Sequence, residues 1–218
     1  MNHFIKICGI TSKEDALMVE AEGADALGFI LHEESDRFVG IEKVVDIVEC
    51  LHEDIEIFLV FVNKKEEFVA NCLNKIPHAI PQFHGDENAK FCNKFNKDFV
   101  KAIRVNAETD FEKINYSFGK AKMLLLDSHE EGSYGGTGKS FDWNLIETKL
   151  KIPFLLAGGI DTINVEKALS SVSCQGIDVS SGVESKPGKK DPNTVSYTHL
   201  RAHETREDLV WRRRLEKK

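Results

Sequence analysis

The stretch Phe4-Ile5-Lys6-Ile7-Cys8-Gly9-Ile10-Thr11 decides how the rest of the chain is read. It is a short apolar run that ends in a thiol, a glycine and a threonine. Apolar runs of this length bounded by turn residues suit a strand buried on both faces, the habit of parallel sheets. Thr11, with Glu14 three residues later, forms a capping-box pattern for a following helix. A base or nucleophile at the carboxyl end of a first parallel strand is where α/β enzymes place their chemistry.

Working outward, the same unit recurs. A helix pattern runs to about residue 22 and is closed by Gly23. The apolar strand 24–31 follows, then a helix over 41–51, a strand over 55–61, a helix over 65–74 and a weaker strand over 79–83. Further on come a helix ending near 96, a strand over 99–104, a helix near 108–118 and the strand 122–127. The glycine-rich loop 128–139 leads to a helix from about 142, a strand over 154–157, a helix over 162–170 and a strand over 176–179. Eight strands alternating with seven helical segments predict an α/β chain folded as a single (β/α)8 TIM barrel, with its functional loops at one end. A doubly wound open sheet is the alternative.

The totals agree with one such domain. At 218 residues, 41% hydrophobic and 30% charged, the composition is that of a soluble globular protein. Nothing approaches 18 consecutive apolar residues, so no membrane span is expected. No basic region leads into an apolar segment with a cleavage site, and a cytoplasmic location is expected. The five cysteines are scattered and never form C-x-x-C. That argues against a disulfide framework and a metal site, and for a reducing compartment. A formal charge of −7 gives no reason to expect a nucleic-acid partner.

Several residues carry chemistry. Cys8 is the candidate base; near a phosphate and a helix N-terminus its pKa is expected to fall towards neutrality. Cys50, Cys72 and Cys174 read as small buried hydrophobes. Asp127 ends the wholly apolar run Met123-Leu124-Leu125-Leu126 and is the candidate acid. The glycine-rich turns containing Gly158-Gly159 and Ser180-Ser181-Gly182 follow strands seven and eight. In eight-fold barrels these loops, with a short helix N-terminus, bind phosphate through converging N–H groups. Arg37 offers a fork for a substrate carboxylate. Asp178 either accepts a hydrogen bond from substrate or caps the next helix, and His84 is a substrate contact or a loop residue. Tyr134-Gly135-Gly136-Thr137-Gly138-Lys139 lacks the G-x-x-x-x-G-K-[ST] spacing and reads as a lid over the mouth rather than a nucleotide loop.

Taken together, KICGIT at 6–11, DALGFI at 25–30, SDRFVG at 35–40, QFHGDE at 82–87, LLLDS at 124–128, GGTGKSFDW at 135–143, LAGGI at 156–160 and DVSSGVESKPGKKD at 178–191 resemble the phosphoribosylanthranilate isomerases of tryptophan biosynthesis. The resemblance spans most of residues 3–191. It implies a cofactor-free Amadori rearrangement of a small phosphorylated substrate by a monomer or homodimer. Asp127 then matches the general acid and Cys8 the general base, Arg37 and Asp178 match contacts to the anthranilate side, and the two glycine turns match the phosphate grip.

The end of the chain departs from this pattern. Residues 1–195 hold 22 Lys and Arg against 32 Asp and Glu, net −10, with only two arginines; residues 196–218 hold 7 against 4, net +3, with five arginines. The tail resembles translated sequencing-adapter read-through more than a barrel helix. The expectation is therefore a barrel domain over 1–195, an atypical basic tail over 196–218, and a last helix replaced by that tail.

Overall fold

In a computed structural model, which describes residues 3–128, 143, 146, 150–198 and 202, eight parallel strands close into a barrel in sequence order. They are β1 (Phe4–Cys8), β2 (Ala26–Ile30), β3 (Glu56–Phe61), β4 (Ile80–Phe83), β5 (Val100–Val105), β6 (Met123–Ser128), β7 (Phe154–Leu156) and β8 (Gly176–Val179). β1 pairs on one side with β2, Cys8 opposite Gly28, and on the other with β8, Lys6 opposite Asp178. Both edges of the first strand are taken, which excludes the open sheet.

The two-sided burial foreseen for the strands follows from this closure. Residues of one parity, among them Ala26, Phe58, Val100, Ala102, Met123, Leu125, Leu155 and Ala157, pack together inside the barrel. The other parity, including Ile5, Ile7, Leu27, Phe29, Leu124 and Leu126, packs outward against Val19, Val44 and Val69 of the helices. The helices are α1 (Lys13–Ala21), α2 (Ile41–Val48), α3 (Glu66–Lys75), α4 (Ala89–Cys92), α5 (Phe111–Phe118) and α6 (Val165–Ser171). Among the described residues, no helix is long and apolar enough to cross a membrane.

Four local expectations are corrected. Ser12, not Thr11, caps α1: its hydroxyl accepts from the Asp15 N–H, while Thr11 Oγ1 donates to the Gly188 carbonyl at 2.6 Å. The fourth helix is a single turn followed by a 3-10 turn, Asn93–Phe95, which ends at Asn96 with φ 49°. Space that a longer helix would cover is filled by Phe83, Phe91, Phe95 and Phe99, with ring centroids 5.5–6.1 Å apart. Between β8 and the helix over 192–198 stands an unforeseen hairpin, β9 (Glu184–Lys186) and β10 (Lys189–Lys190). Cys72 is buried as expected, but Cys174 is only half-buried and Cys50 is exposed.

Residues 192–198 are helical and pass the expected boundary at 195, with Val195 and Thr198 buried against the barrel; Ala202 is helical and buried too. The lid expected at 134–139 lies outside the described residues, and so does most of the expected helix from 142.

Candidate active site

Strand parity builds the site. Cys8, Asp127 and Asp178 lie on the inward set of β1, β6 and β8, and His84 continues that set past the end of β4. They meet Arg37, Gly158, Gly159, Ser180 and Ser181 around one solvent-open cleft at the carboxyl ends of the strands, the end at which eight-fold barrels place their functional sites. Of the residues singled out in the sequence, Gly182 alone does not line it. It sits behind the wall in a bridge with Asp161, and a Cβ there would stand 2.0 Å from the Ile160 carbonyl oxygen.

The phosphate-grip turns have the expected backbone. Gly158 and Gly159 adopt φ of 76° and 65°, a pair of left-handed residues that side chains rarely permit. The turn is held by Asn164, whose Nδ2 donates to the Gly159 carbonyl at 2.7 Å, and by Asp161, which accepts from the Ile163 and Asn164 N–H groups. Directly after β8, however, residues 180–184 form no short helix. Two consecutive turns stand in its place, Val183 N–H to Ser180 O and Glu184 N–H to Ser181 O. Ser180 Oγ is buried with no partner among the described residues, as is Asp178 Oδ1. Buried polar atoms left without partners at a cleft wall are places where a ligand completes the hydrogen bonding.

On the β1 and β8 side, charge is organised by residues the sequence reading did not single out. Lys6, two residues before Cys8 on the same face, is fully buried; its Nζ donates to Asp178 Oδ2 at 2.8 Å and lies 5.5 Å from the Phe58 ring centroid. Its charge also favours the Cys8 thiolate. Burial alone would lower the Lys6 pKa, but Asp178 and Cys8 outweigh it and hold the pKa above the ordinary value. Asp178 is therefore an ion-pair partner rather than a helix cap. Burial raises the Cys8 thiol pKa, and Lys6 and Lys190 only partly offset that. The expected fall towards neutrality is thus reversed, because removal from water outweighs the nearby cations.

Arg37, which lines the cleft, is also held within the protein. Its Nε donates to both oxygens of Glu184 at 2.9 and 3.1 Å, and its Nη2 donates to Oε2 at 2.7 Å. This edge of the fork is committed within the protein. Lys190, also buried, donates to the Cys8 carbonyl at 2.6 Å, to the Ser180 carbonyl at 3.1 Å and to Glu184 at 2.9 Å. A lysine inside the apolar run Ile5-Lys6-Ile7 was a visible signal. The Glu184 and Lys190 partnerships join residues distant from Arg37 and Cys8, and no local pattern marks them.

On the opposite side, His84 Nε2 lies 3.1 Å from Asp127 Oδ2, and His84 Nδ1 lies 3.3 Å from Gln82 Nε2. His84 thus meets the candidate acid directly. Its loop is pinned by Glu87, which accepts from the Gly85 and Asn63 N–H groups, and by Lys101, which donates to the Phe83 and Gly85 carbonyls.

Comparison with known proteins agrees with this geometry. Residues 5–198 match the family described as N-(5'-phosphoribosyl)anthranilate (PRA) isomerase. A protein of that name from Neisseria meningitidis serogroup A is 41% identical over 191 residues, covering 88% of this chain and 92% of its own. The phosphoribosyl anthranilate isomerase structure from Thermotoga maritima superposes with a TM-score of 0.83 at 34% identity, over 92% of this chain and 98% of that one. A further structure of this isomerase, in complex with reduced 1-(o-carboxyphenylamino)-1-deoxyribulose 5-phosphate, superposes with a TM-score of 0.76 at 31% identity, over 92% and 98%. With the matched barrel, the two glycine turns and a cleft walled by Cys8 and Asp127, the chain belongs to the N-(5'-phosphoribosyl)anthranilate isomerase family.

Proposed function

We propose that this chain catalyses the Amadori rearrangement of N-(5-phosphoribosyl)anthranilate to 1-(2-carboxyphenylamino)-1-deoxy-D-ribulose 5-phosphate, the isomerase step of tryptophan biosynthesis. The observation that carries the reading is the placement of a buried thiol on β1 and a buried carboxyl on β6 across one cleft. Asp127 gives a proton to the furanose ring oxygen, and the ring opens to the protonated Schiff base. Cys8, as thiolate, removes the proton from C2, and the resulting enolamine tautomerises to the ketone. One proton leaves Asp127 and one arrives at Cys8, so the rearrangement is proton-neutral and needs no redox partner.

The turns at Gly158-Gly159 and Ser180-Ser181 grip the phosphate, with Gly182 holding their loops together from behind. Asp178 Oδ1 accepts from the anthranilate side, and Arg37 presents its guanidinium edge away from Glu184 to the carboxylate. Because burial raises the Cys8 pKa above the 9.0 of an ordinary thiol, the thiolate is a minor form at neutral pH.

The test is turnover of N-(5-phosphoribosyl)anthranilate by the full chain, with Cys8→Ala and Asp127→Asn beside it. Each variant is expected to lose about 10²–10⁴-fold in kcat. A folded variant that keeps full activity would show that its residue is not the acid or base of this reaction. We also propose that the barrel unit spans residues 1–195 and that 196–218 is an extension foreign to it. In an auxotroph lacking this isomerase, growth should then improve when the tail is exchanged for an amphipathic eighth helix. Equal growth of the chain as it stands would refute that assignment.

A further inference from the structure

The inward face of β4 carries a pair of polar side chains that the acid and base assignments leave without a task. Gln82 is 1% exposed, and its strand neighbours in register are the apolar Val60 and Val100. Its amide reaches one polar group, Nδ1 of His84, while Oε1 is buried with no partner among the described residues. This fixes the orientation of the amide. The reverse orientation would put the amide nitrogen where nothing accepts either of its hydrogens, whereas the present one leaves one N–H and the carbonyl oxygen unfilled and places the other N–H on His84.

With Nε2 of Gln82 as donor, Nδ1 of His84 is an acceptor. The neutral imidazole then carries its proton on Nε2, which donates to Asp127 Oδ2. That has a consequence for a carboxyl acting as an acid. When one oxygen of Asp127 accepts from His84, the acidic proton is confined to the other oxygen. In the opposite tautomer, His84 Nε2 is a lone pair facing the carboxyl and draws the proton onto the imidazole side, away from substrate. A wrong imidazole tautomer is costly to catalysis even when geometry is intact.

We infer that Gln82 is a positioning residue that holds His84 as the Nε2–H tautomer and thereby keeps the Asp127 proton on the oxygen that is not bonded to His84. The inference rests on Asp127 being the general acid. It assigns to Gln82 a part in setting kcat although Gln82 does not line the cleft.

The experiment is long-range 1H–15N NMR of the full 15N-labelled chain. His84 is identified among the eight histidines by its loss in His84→Asn. In the unsubstituted protein, His84 should show a protonated Nε2 and an unprotonated Nδ1. Gln82→Glu puts an acceptor in place of the donor and should protonate Nδ1, with kcat falling by about tenfold or more and KM little changed. Gln82→Met, which supplies neither donor nor acceptor, should lower kcat and leave the tautomers mixed. A protonated Nδ1 in the unsubstituted protein overturns the inference, and so does a Gln82→Met protein with unaltered tautomer and kcat. Full activity of Asp127→Asn beside the expected tautomer would instead overturn the general-acid role and, with it, the catalytic meaning of the relay.

Discussion

Lys6→Met tests whether the buried charges of the mouth are coupled as the geometry requires. Lys6 has no exposed surface, and its ammonium is held by Asp178 Oδ2 at 2.8 Å. Asp178 is itself 7% exposed, and its Oδ1 already lacks a partner among the described residues. Methionine keeps most of the side-chain volume and removes the charge, so it leaves a buried carboxylate without its cation. Breaking a buried pair from one side costs about 3–5 kcal/mol, a large share of the roughly 5–15 kcal/mol that stabilises a domain. Replacing both partners, Lys6→Met with Asp178→Leu, removes the stranded charge and should recover most of that loss. Urea unfolding of the four proteins closes the cycle. If the two single costs simply add to within about 0.5 kcal/mol, the pair is not coupled and the reasoning fails. A parallel readout is the thiol. Without Lys6, burial and the Asp178 charge both oppose the thiolate, and alkylation of Cys8 should slow.

Three further outcomes follow. Gly182→Ala must part the loops after β7 and β8, because the new Cβ meets the Ile160 carbonyl oxygen at 2.0 Å. It should cost about 1–3 kcal/mol in urea unfolding and raise KM more than it lowers kcat; unchanged kinetics would mean that these loops do not hold the phosphate. Burial pushes the Glu184 carboxyl up, but Arg37 and Lys190 outweigh it and bring it below 4.5. Its stabilisation is therefore complete above pH 4.5 and is lost as pH falls through its folded value. Glu184→Gln should flatten the acid side of the stability curve, and an unchanged acid slope would contradict the pairing. Finally, maleimide labelling followed by peptide mass mapping should find the exposed Cys50 first. Cys72 and Cys92, buried with pKa values pushed up to about 11 and about 12, should stay unlabelled in the folded protein.

Much of the barrel was legible because its rule is local. Alternating parity along each strand puts Cys8, Asp127 and Asp178 on one side of the chain before any contact is known. The same rule marks Lys6, since a lysine flanked by two isoleucines at inward parity has nowhere to go but the interior. What was not legible depends on partners far along the chain. Thr11 and Ser12 are both good helix caps, and the choice falls to Ser12 because Gly188, 177 positions later, takes the Thr11 hydroxyl. Arg37 reads as a fork open on both edges, and only the fold shows that Glu184, 147 positions on, occupies one of them. The direction of the Cys8 pKa is a balance between burial and cations, and a sequence shows the cations more readily than the burial. The cluster in which Phe91 and Phe95, of α4 and the turn after it, meet Phe83 and Phe99 is likewise a matter of contacts between elements that no local pattern shows.

The three lysines buried among the described residues share a logic that explains why polar groups sit where an apolar core would be more stable. Lys6 fixes Asp178 beside Cys8; Lys190 ties the Cys8 and Ser180 carbonyls together; and Lys101 ties the Phe83 and Gly85 carbonyls on either side of His84. Each therefore ends at the carboxyl end of a strand that carries a site residue. Burial pushes the pKa of Lys101 and Lys190 below the ordinary lysine value, the mark of a charge held where it is disfavoured. An ammonium with three donors can hold two backbone carbonyls at once, which no aliphatic side chain can do. The loops of a barrel mouth have little apolar surface of their own to fix them. The buried charges of this barrel accordingly reach from its strands to the mouth, where a thiol, an imidazole and a carboxyl must be kept in place.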